Sequence, residues 1–192
     1  MKYNFTQGEV TLLSFLLQGT GNRKYNAPVG GKTRLIKELF ILEKGYDVRT
    51  GYEFVPYYFG PFCPDIYRDM SALESGGLVT TSETIAGSEI SLTPKGVSVA
   101  NDLAGKLDKS ITKRMINCKE RYNDMPINDL IQYVYSRWRK FTDKSLSNSD
   151  NILDELSNEF EKASITDEDI NQTIKEYREE SQRQKNARSS GH

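Results

Sequence analysis

The chain has 192 residues, 26 Lys and Arg against 27 Asp and Glu, and a mean hydropathy of −0.63. A chain of this length predicts one domain, or one domain with an appendage, and it can bury a core without disulfide staples. No long apolar run and no apolar leader after Met1 are visible, so we expect a cytoplasmic protein without a membrane span.

The first helix is predicted from a capping signal near the N-terminus. Thr6 and Glu9 have the spacing of a capping box, in which each side chain satisfies a backbone N–H of the other residue. We expect this helix to reach about residue 18. Residues 19–31 are rich in Gly, Asn and Pro without periodicity, which predicts a loop.

The next helix is predicted over residues 32–44 and is ended by Gly45, with its basic residues mostly turned away from the apolar side. Residues 52–59 are mostly β-branched or aromatic, which predicts a short strand near a sheet edge. Gly60 and Pro61 are expected to turn the chain after it.

A third helix and a hairpin come next in the chain. Pro64 suits the first position of a helix, and two glycines at 76–77 stop it. Its expected core residues, at helical spacing, are Ile66, Tyr67, Met70 and Leu73. Residues 78–83 and 88–92 predict two strands of a hairpin, or wing.

The C-terminal half has a helical pattern. Thr93 and Pro94 start a helix, and its apolar period predicts either one long helix or two collinear helices reaching about residue 122. Pro126 opens another helix, whose apolar stripe continues to Phe141. The element order predicts a mainly α fold with a small β-wing, an α+β winged helix-turn-helix-like domain followed by extra C-terminal helices.

The charges are divided unevenly along the chain. Residues 1–149 carry a net charge of +4, whereas residues 150–180 carry −8. We therefore predict a body over 1–144, an acidic helical tail over 145–180 and a disordered C-terminus over 181–192. The tail is a solvated helical face, a cover for a basic surface of the body or a partner-binding segment.

Four motifs of the body resemble one bacterial family. They are Gly31-Lys32-Thr33-Arg34-Leu35 with Lys37 and Phe40, Tyr58-Phe59-Gly60-Pro61-Phe62-Cys63-Pro64 with Tyr67, Leu73 to Leu78 with its two glycines, and Leu92-Thr93-Pro94-Lys95-Gly96. Together they look like the SocA-like Panacea antitoxin domains and the related YwgA-like bacterial proteins, over about residues 5–140. The resemblance implies a non-catalytic winged-helix fold that binds and neutralises toxins.

The side chains of enzyme chemistry are scarce. Cys63 and Cys118 are the two cysteines, and His192 is the only histidine. A disulfide framework, a His-based catalytic site and the usual zinc sites are therefore excluded. We predict no enzyme, no metal and no cofactor, and the segment at 26–33 lacks the strand and the first glycine of a phosphate-binding loop.

Charge argues against the usual docking of a winged helix on DNA. The helix over 65–75, which would enter the groove, has three acidic residues and only Arg68 as a base, and the wing has two glutamates and no base. Phosphate neutralisation dominates affinity for DNA, so a protein partner is favoured. Its predicted contacts are the aromatic turn and its neighbour, namely Tyr57, Tyr58, Phe59, Phe62 and Arg68.

Basic side chains elsewhere are candidate contacts to anions or nucleic acid. Three lie at the start of the second helix, Lys32, Arg34 and Lys37, and four lie further on at near-helical spacing, Lys106, Lys109, Lys113 and Arg114. A solvated helix face is the other interpretation of the second group.

The leading hypothesis is a protein-binding, antitoxin-like or phage-defence regulator whose partner is a toxin or defence component. The alternative is a DNA-binding transcriptional regulator that uses the basic helix face. The long helices over 94–122 and 127–141 are also candidates for a homodimer interface.

Overall fold

The computed structural model describes residues 4–21, 23–57, 60–85 and 87–141. The segments predicted as an acidic tail over 145–180 and a disordered C-terminus over 181–192 lie outside these residues. Within the described part the fold is α+β, with six α-helices and three two-stranded antiparallel sheets. The elements are α1 Gln7–Leu16, β1 Gln18–Thr20, β2 Arg23–Tyr25, α2 Gly31–Tyr46, β3 Val55–Tyr57, β4 Gly60–Phe62, α3 Pro64–Ser75, β5 Val79–Thr84, β6 Gly87–Leu92, α4 Pro94–Ala104, α5 Lys109–Tyr122 and α6 Ile127–Arg137.

The capping box of α1 is confirmed. The Oγ1 atom of Thr6 accepts a hydrogen bond from the Glu9 backbone at 3.1 Å, and Glu9 Oε2 accepts one from the Thr6 backbone at 2.8 Å. Two N–H groups that the helix leaves unpaired are thereby satisfied.

The loop predicted over 19–31 is wrong in its first half, because β1 and β2 form a hairpin there. Gln18 pairs with Tyr25 and Thr20 with Arg23. Gly19 is needed for this pairing, since a Cβ atom there would lie 1.9 Å from the carbonyl oxygen of Arg23.

Helix α2 runs past the predicted stop at Gly45. The left-handed residue that ends it is Asp47, with φ of 53°, and the Asp47 N–H donates to the carbonyl of Leu42. The prediction that the basic residues of α2 point away from the core is also wrong for Arg34 and Lys37, which are 5% and 4% exposed.

Strands β3 and β4 pair tightly, with Val55 opposite Phe62 and Tyr57 opposite Gly60. Gly60 and Pro61 therefore belong to the returning strand, not to the turn predicted there. The two residues between the strands, Tyr58 and Phe59, lie outside the described part of the chain.

The third helix and the hairpin that follows it are confirmed as elements. Pro64 occupies the first turn of α3, Gly76 caps its end, and Gly77 comes next with φ of 66°. The four predicted core residues of α3 are all buried. Strands β5 and β6 pair over six residues each.

Helices α4 and α5 are separate, so the single long helix predicted as one alternative is wrong. Thr93 caps α4 by accepting a hydrogen bond from the Gly96 backbone at 3.0 Å. The chain leaves the helix at Gly105, and Asp108 starts α5 by accepting from the Ser110 backbone at 2.6 Å. Helix α6 ends at Arg137, short of the predicted Phe141, and residues 139–141 form one 3-10 turn.

The core lies around α2, which contacts α5, α6, β4 and β6. Its largest fully buried side chains include Phe15, Phe40 and Tyr122. Both cysteines are buried, and burial raises the pKa of Cys63 to about 11. In the described residues no helix is both long and apolar enough to span a membrane.

Candidate functional site

A row of aromatic rings connects the β3–β4 hairpin to α3. The rings of Tyr57 and Phe62 stack with their centres 4.6 Å apart, and Phe62 meets Tyr67 at 5.7 Å. The ammonium of Lys32, at the start of α2, lies 5.2 Å from the centre of the Tyr67 ring. The fold thus brings three of the predicted site residues, Tyr57, Phe62 and Lys32, into one row through Tyr67.

The backbone of the hairpin is held from both sides. The ammonium of Lys37 donates a hydrogen bond to the carbonyl of Pro61 at 2.9 Å. Gly60 has φ of 85°, and a Cβ atom there would lie 2.7 Å from the Tyr135 ring of α6. A surface fixed in this way loses little conformational entropy when a partner binds.

The hairpin is partly accessible. Val55 is 38% exposed, whereas Tyr57 and Phe62 are half-buried and pack against the core. Tyr58 and Phe59, the other predicted contacts, are outside the described residues. The accessible apolar surface of the hairpin therefore consists of Val55 and the exposed parts of Tyr57 and Phe62.

Arg68 lies at the surface of α3, as a partner contact requires. Its side chain is 64% exposed and pairs with Asp65 at 3.0 Å. Asp69, 4.0 Å away, is buried and accepts a hydrogen bond from the Tyr52 hydroxyl at 3.1 Å. Burial raises the pKa of Asp69, with Tyr52 acting in the opposite direction. An exposed pair such as Arg68–Asp65 contributes little to stability, so Arg68 can exchange partners.

Two of the predicted anion contacts do not fit that role. The guanidinium of Arg34 donates to the carbonyl of Tyr122 at 3.0 Å, and Lys37 donates to Pro61. Burial lowers the pKa of Lys37 to about 7. Both side chains therefore join elements inside the body, and neither presents its charge to a ligand at the surface.

The second predicted basic group divides in the same manner. Lys106, Lys109 and Lys113 are exposed, the last two one turn apart on α5. Arg114 donates instead to the carbonyls of Tyr46 at 3.1 Å and Asp47 at 2.8 Å. Arg114 satisfies carbonyls at the end of α2, as basic residues commonly do at a helix C-terminus.

A cluster of buried charges was missed by the sequence analysis. Glu38 of α2 and Lys119 of α5 are fully buried, and the Lys119 ammonium donates to the carbonyls of Phe15 and Leu16 at 3.3 and 3.0 Å. Neither carboxylate oxygen of Glu38 accepts a hydrogen bond from the described residues. Burial raises the pKa of Glu38 to about 8, while Arg34 and Lys119 act in the opposite direction.

One signal could have revealed this cluster. Lys119 is four residues after Met115 and three before Tyr122, so it shares their buried helix face. The cluster is enclosed by α1, α2 and α5. Its role is structural, since the Lys119 ammonium donates its hydrogen bonds to backbone carbonyls of α1 and not to a ligand.

A second missed feature is the β1–β2 hairpin. Arg23, Lys24 and Tyr25 are all exposed, and Tyr25 is 64% accessible. The dipeptide Gly21-Asn22 between the strands is typical of a two-residue hairpin turn and was the available signal. The hairpin adds a small basic and aromatic surface to the body.

Acidic side chains dominate the β5–β6 hairpin, whose strands contain no basic residue. Glu83 is exposed on β5 and Glu89 half-buried on β6, and Ile85 at the tip is fully exposed. Among the described residues no group of three or more His, Cys, Asp or Glu could hold a metal ion.

Comparison with known proteins gives no relative: no family model, no curated protein and no solved structure matches the chain.

Proposed function

We propose that this chain is a non-catalytic winged-helix protein that acts by binding another protein, in the manner of a Panacea-type antitoxin or a defence-associated regulator. The contact surface is the β3–β4 hairpin, with Val55, Tyr57 and Phe62, together with Arg68 on α3. The partner is a toxin or another defence component, and it is inhibited when this surface covers it.

The observation that carries the proposal is the way the hairpin is held. Lys37 and Tyr135 fix its backbone from α2 and α6, while Val55 remains 38% exposed. Aromatic residues and Arg are enriched at the centres of protein interfaces, where rigid presentation reduces the entropic cost of binding.

Charge supports a protein partner over DNA at this end of the molecule. The exposed Arg68 forms an ion pair with Asp65, which neutralises its charge. The β5–β6 hairpin contains Glu83 and Glu89, and its strands contain no basic residue. A helix and hairpin of this composition repel the phosphate backbone.

The proposal is tested by affinity capture from source cells, after nuclease treatment, with three forms of the full chain. The wild type and Ile85→Asp, which changes the fully exposed tip of the other hairpin, are expected to retain the same stoichiometric protein. Val55→Asp is expected to lose it, because a buried unpaired charge in an interface costs several kcal/mol. Equal retention by all three forms would place the contact elsewhere.

The alternative function, a DNA-binding regulator, is favoured by the exposure of Lys106, Lys109 and Lys113 near the start of α5. The same capture, repeated without nuclease, distinguishes the two functions, since the retained material would then be DNA that nuclease removes. Lys109→Glu with Lys113→Glu would abolish that retention. Arg114 is left unchanged in this variant because it satisfies the carbonyls at the end of α2.

A further inference from the structure

The C-terminal ends of α2 and α6 meet α5 through aromatic rings, of which Tyr122 is buried while Tyr46, Tyr133 and Trp138 are partly accessible. The Tyr46 hydroxyl donates to the carbonyl of Asn117 at 3.3 Å. A chain of ring contacts runs from Tyr46 to Tyr122 at 6.5 Å, on to Tyr133 at 5.2 Å and on to Trp138 at 5.9 Å. We call the surface around these rings the aromatic–basic face.

The aromatic–basic face combines partly exposed rings with a rim of cations. Tyr46, Tyr133 and Trp138 are half-buried. The exposed cations on these elements include Lys44, Lys113, Arg121, Arg137, Arg139 and Lys140, against four exposed acids, Asp47, Glu120, Asp124 and Asp129, which leaves a net positive charge. The face therefore suits a ligand that is both apolar and strongly acidic.

The described chain ends on this face. The ring of Phe141 lies 4.9 Å from the Phe40 ring, and Phe40 in turn lies 5.2 Å from Trp138. The next residues of the chain therefore start beside the face, and every extended residue adds about 3.3–3.6 Å of reach.

The sequence beyond Phe141 has the complementary chemistry. Residues 150–161 contain five acidic residues and no basic one, and their apolar residues are Ile152, Leu153, Leu156 and Phe160. Only eight residues, 142–149, connect them to Phe141. A tether this short keeps the local concentration of the segment in the millimolar range, so weak contacts suffice for docking.

We propose that residues 150–161 dock on the aromatic–basic face of their own chain, with acidic side chains at the cationic rim and apolar side chains against the rings. The docked segment excludes other anionic ligands from the face and acts as a built-in competitor. The last described turn, residues 139–141, contacts β3, but the docking face shares no residue with the proposed contact surface of Val55, Tyr57, Phe62 and Arg68. Failure of the docking would therefore leave the proposed function untouched.

Trp138 is the only tryptophan of the chain and lies in the face, so its fluorescence reports docking directly. In the full chain we neutralise four acids of the segment, with Asp154→Asn, Glu155→Gln, Glu159→Gln and Glu161→Gln. We expect acrylamide to quench Trp138 about twofold more strongly in this variant, because the segment no longer shields the ring. Circular dichroism checks that the body remains folded.

A matched control changes the net charge equally in the other acidic stretch, with Asp167→Asn, Glu168→Gln, Asp169→Asn and Glu176→Gln. Its quenching is expected to equal that of the wild type. Unchanged quenching in the first variant, or an equal rise in both, overturns the proposal. Trp138 quenching in the wild type that changes with protein concentration would also overturn the proposal, because the contact would then lie between chains.

Binding of heparin gives a second measurement. Release of the segment is expected to strengthen binding of this polyanion about tenfold in the first variant and not in the control, which corresponds to about 1.4 kcal/mol of docking free energy. Leu156→Ser with Phe160→Ser is expected to increase Trp138 quenching without any change of charge. No increase in this apolar variant would refute the contribution of the rings.

Discussion

At the residue scale, long basic side chains act as internal ties. Lys37, Arg34 and Lys119 each direct their polar ends to backbone carbonyls, which lie on β4, at the end of α5 and at the end of α1, respectively. Hydrogen bonds from a charged donor are stronger than neutral ones, yet burying the charge is costly. The result is a core whose stability depends on pH.

The sign of that dependence is set by Lys37. Its pKa is lowered from 10.5 to about 7 by burial, so the folded state binds fewer protons than the unfolded state between these values. The free energy of unfolding therefore rises as the pH increases from about 7 to about 10.5, by a few kcal/mol in order of magnitude. Lys37→Met is expected to remove this part of the rise.

The measurement is the urea midpoint across that pH range. Lys44→Met, at an exposed position of the same helix, serves as the control and should keep the full rise. Lys119 shifts in the same direction and Glu38 in the opposite one, because burial disfavours the charged form of each. Identical pH profiles for the wild type and Lys37→Met would contradict the argument.

At the element scale, close backbone approach fixes where α4 lies. A Cβ atom on Gly96 would be 1.8 Å from the carbonyl oxygen of Leu78, the residue before β5. The same carbonyl accepts a backbone hydrogen bond from Thr93 at 3.0 Å. The start of α4 is thereby pressed against the start of the β5–β6 hairpin, and only glycine leaves room for the contact.

Gly96→Ala is accordingly expected to lower the free energy of unfolding by roughly 1–3 kcal/mol, the usual cost of overpacking. Gly105→Ala is the matched comparison, since the nearest atom to its Cβ would be 3.4 Å away and its φ of −62° suits alanine. This second change should be neutral or stabilise by about 0.4–1 kcal/mol. Thermal unfolding of the two variants measures this difference. An equal loss of unfolding free energy in both would refute the steric argument.

At the scale of the whole molecule, the helices and the β5–β6 hairpin share one core. Phe40 of α2 meets Phe54 at 5.3 Å and Trp138 at 5.2 Å, so the start of β3 and the end of α6 pack on the same ring. Buried residues of α1, α3, α4 and α5 join the same apolar cluster. Such connectivity is typical of a unit that unfolds cooperatively.

We therefore expect urea unfolding curves from Trp138 fluorescence and from far-ultraviolet circular dichroism to coincide. Trp138 reports the end of α6, whereas the dichroism reports all helices. In the variant with four neutralised acids in residues 150–161, where the segment does not cover Trp138, a fluorescence transition at lower urea than the dichroic one would mean that α6 separates from the body before the rest unfolds.

Local signals in the sequence predicted the starts of helices α1, α3, α4 and α6 correctly. Thr6 with Glu9, Pro64 and Thr93 with Pro94 each act within one helical turn, so their effect does not depend on the rest of the fold. The same holds for Gly76 and Gly77 at the end of α3. Helix starts are therefore the feature that the sequence predicts best.

The errors concern partners that are distant in sequence. Arg34 finds its acceptor 88 residues away and Lys37 finds its own 24 residues away, so helical periodicity could not show that both are buried. Asp47 caps helix α2, which does not end at the predicted Gly45, because its backbone hydrogen bonding continues through Gly45 and Tyr46. For the candidate site, the sequence predicted Tyr57 and Phe62 but not that Tyr67 would join them to Lys32.

The two buried cysteines have a practical consequence. Cys63 directly precedes α3, and the thiol of Cys118 contacts the carbonyl of Glu38 inside the α2–α5 interface at 3.6 Å. Because both thiols are buried, alkylating reagents reach them only when the surrounding elements open, and burial also raises the pKa of both thiols, which keeps them protonated until then. The labelling rate of Cys63 therefore measures local opening beside the β3–β4 hairpin, and that of Cys118 measures opening of the α2–α5 interface. Both measurements use native residues and need no engineered probe.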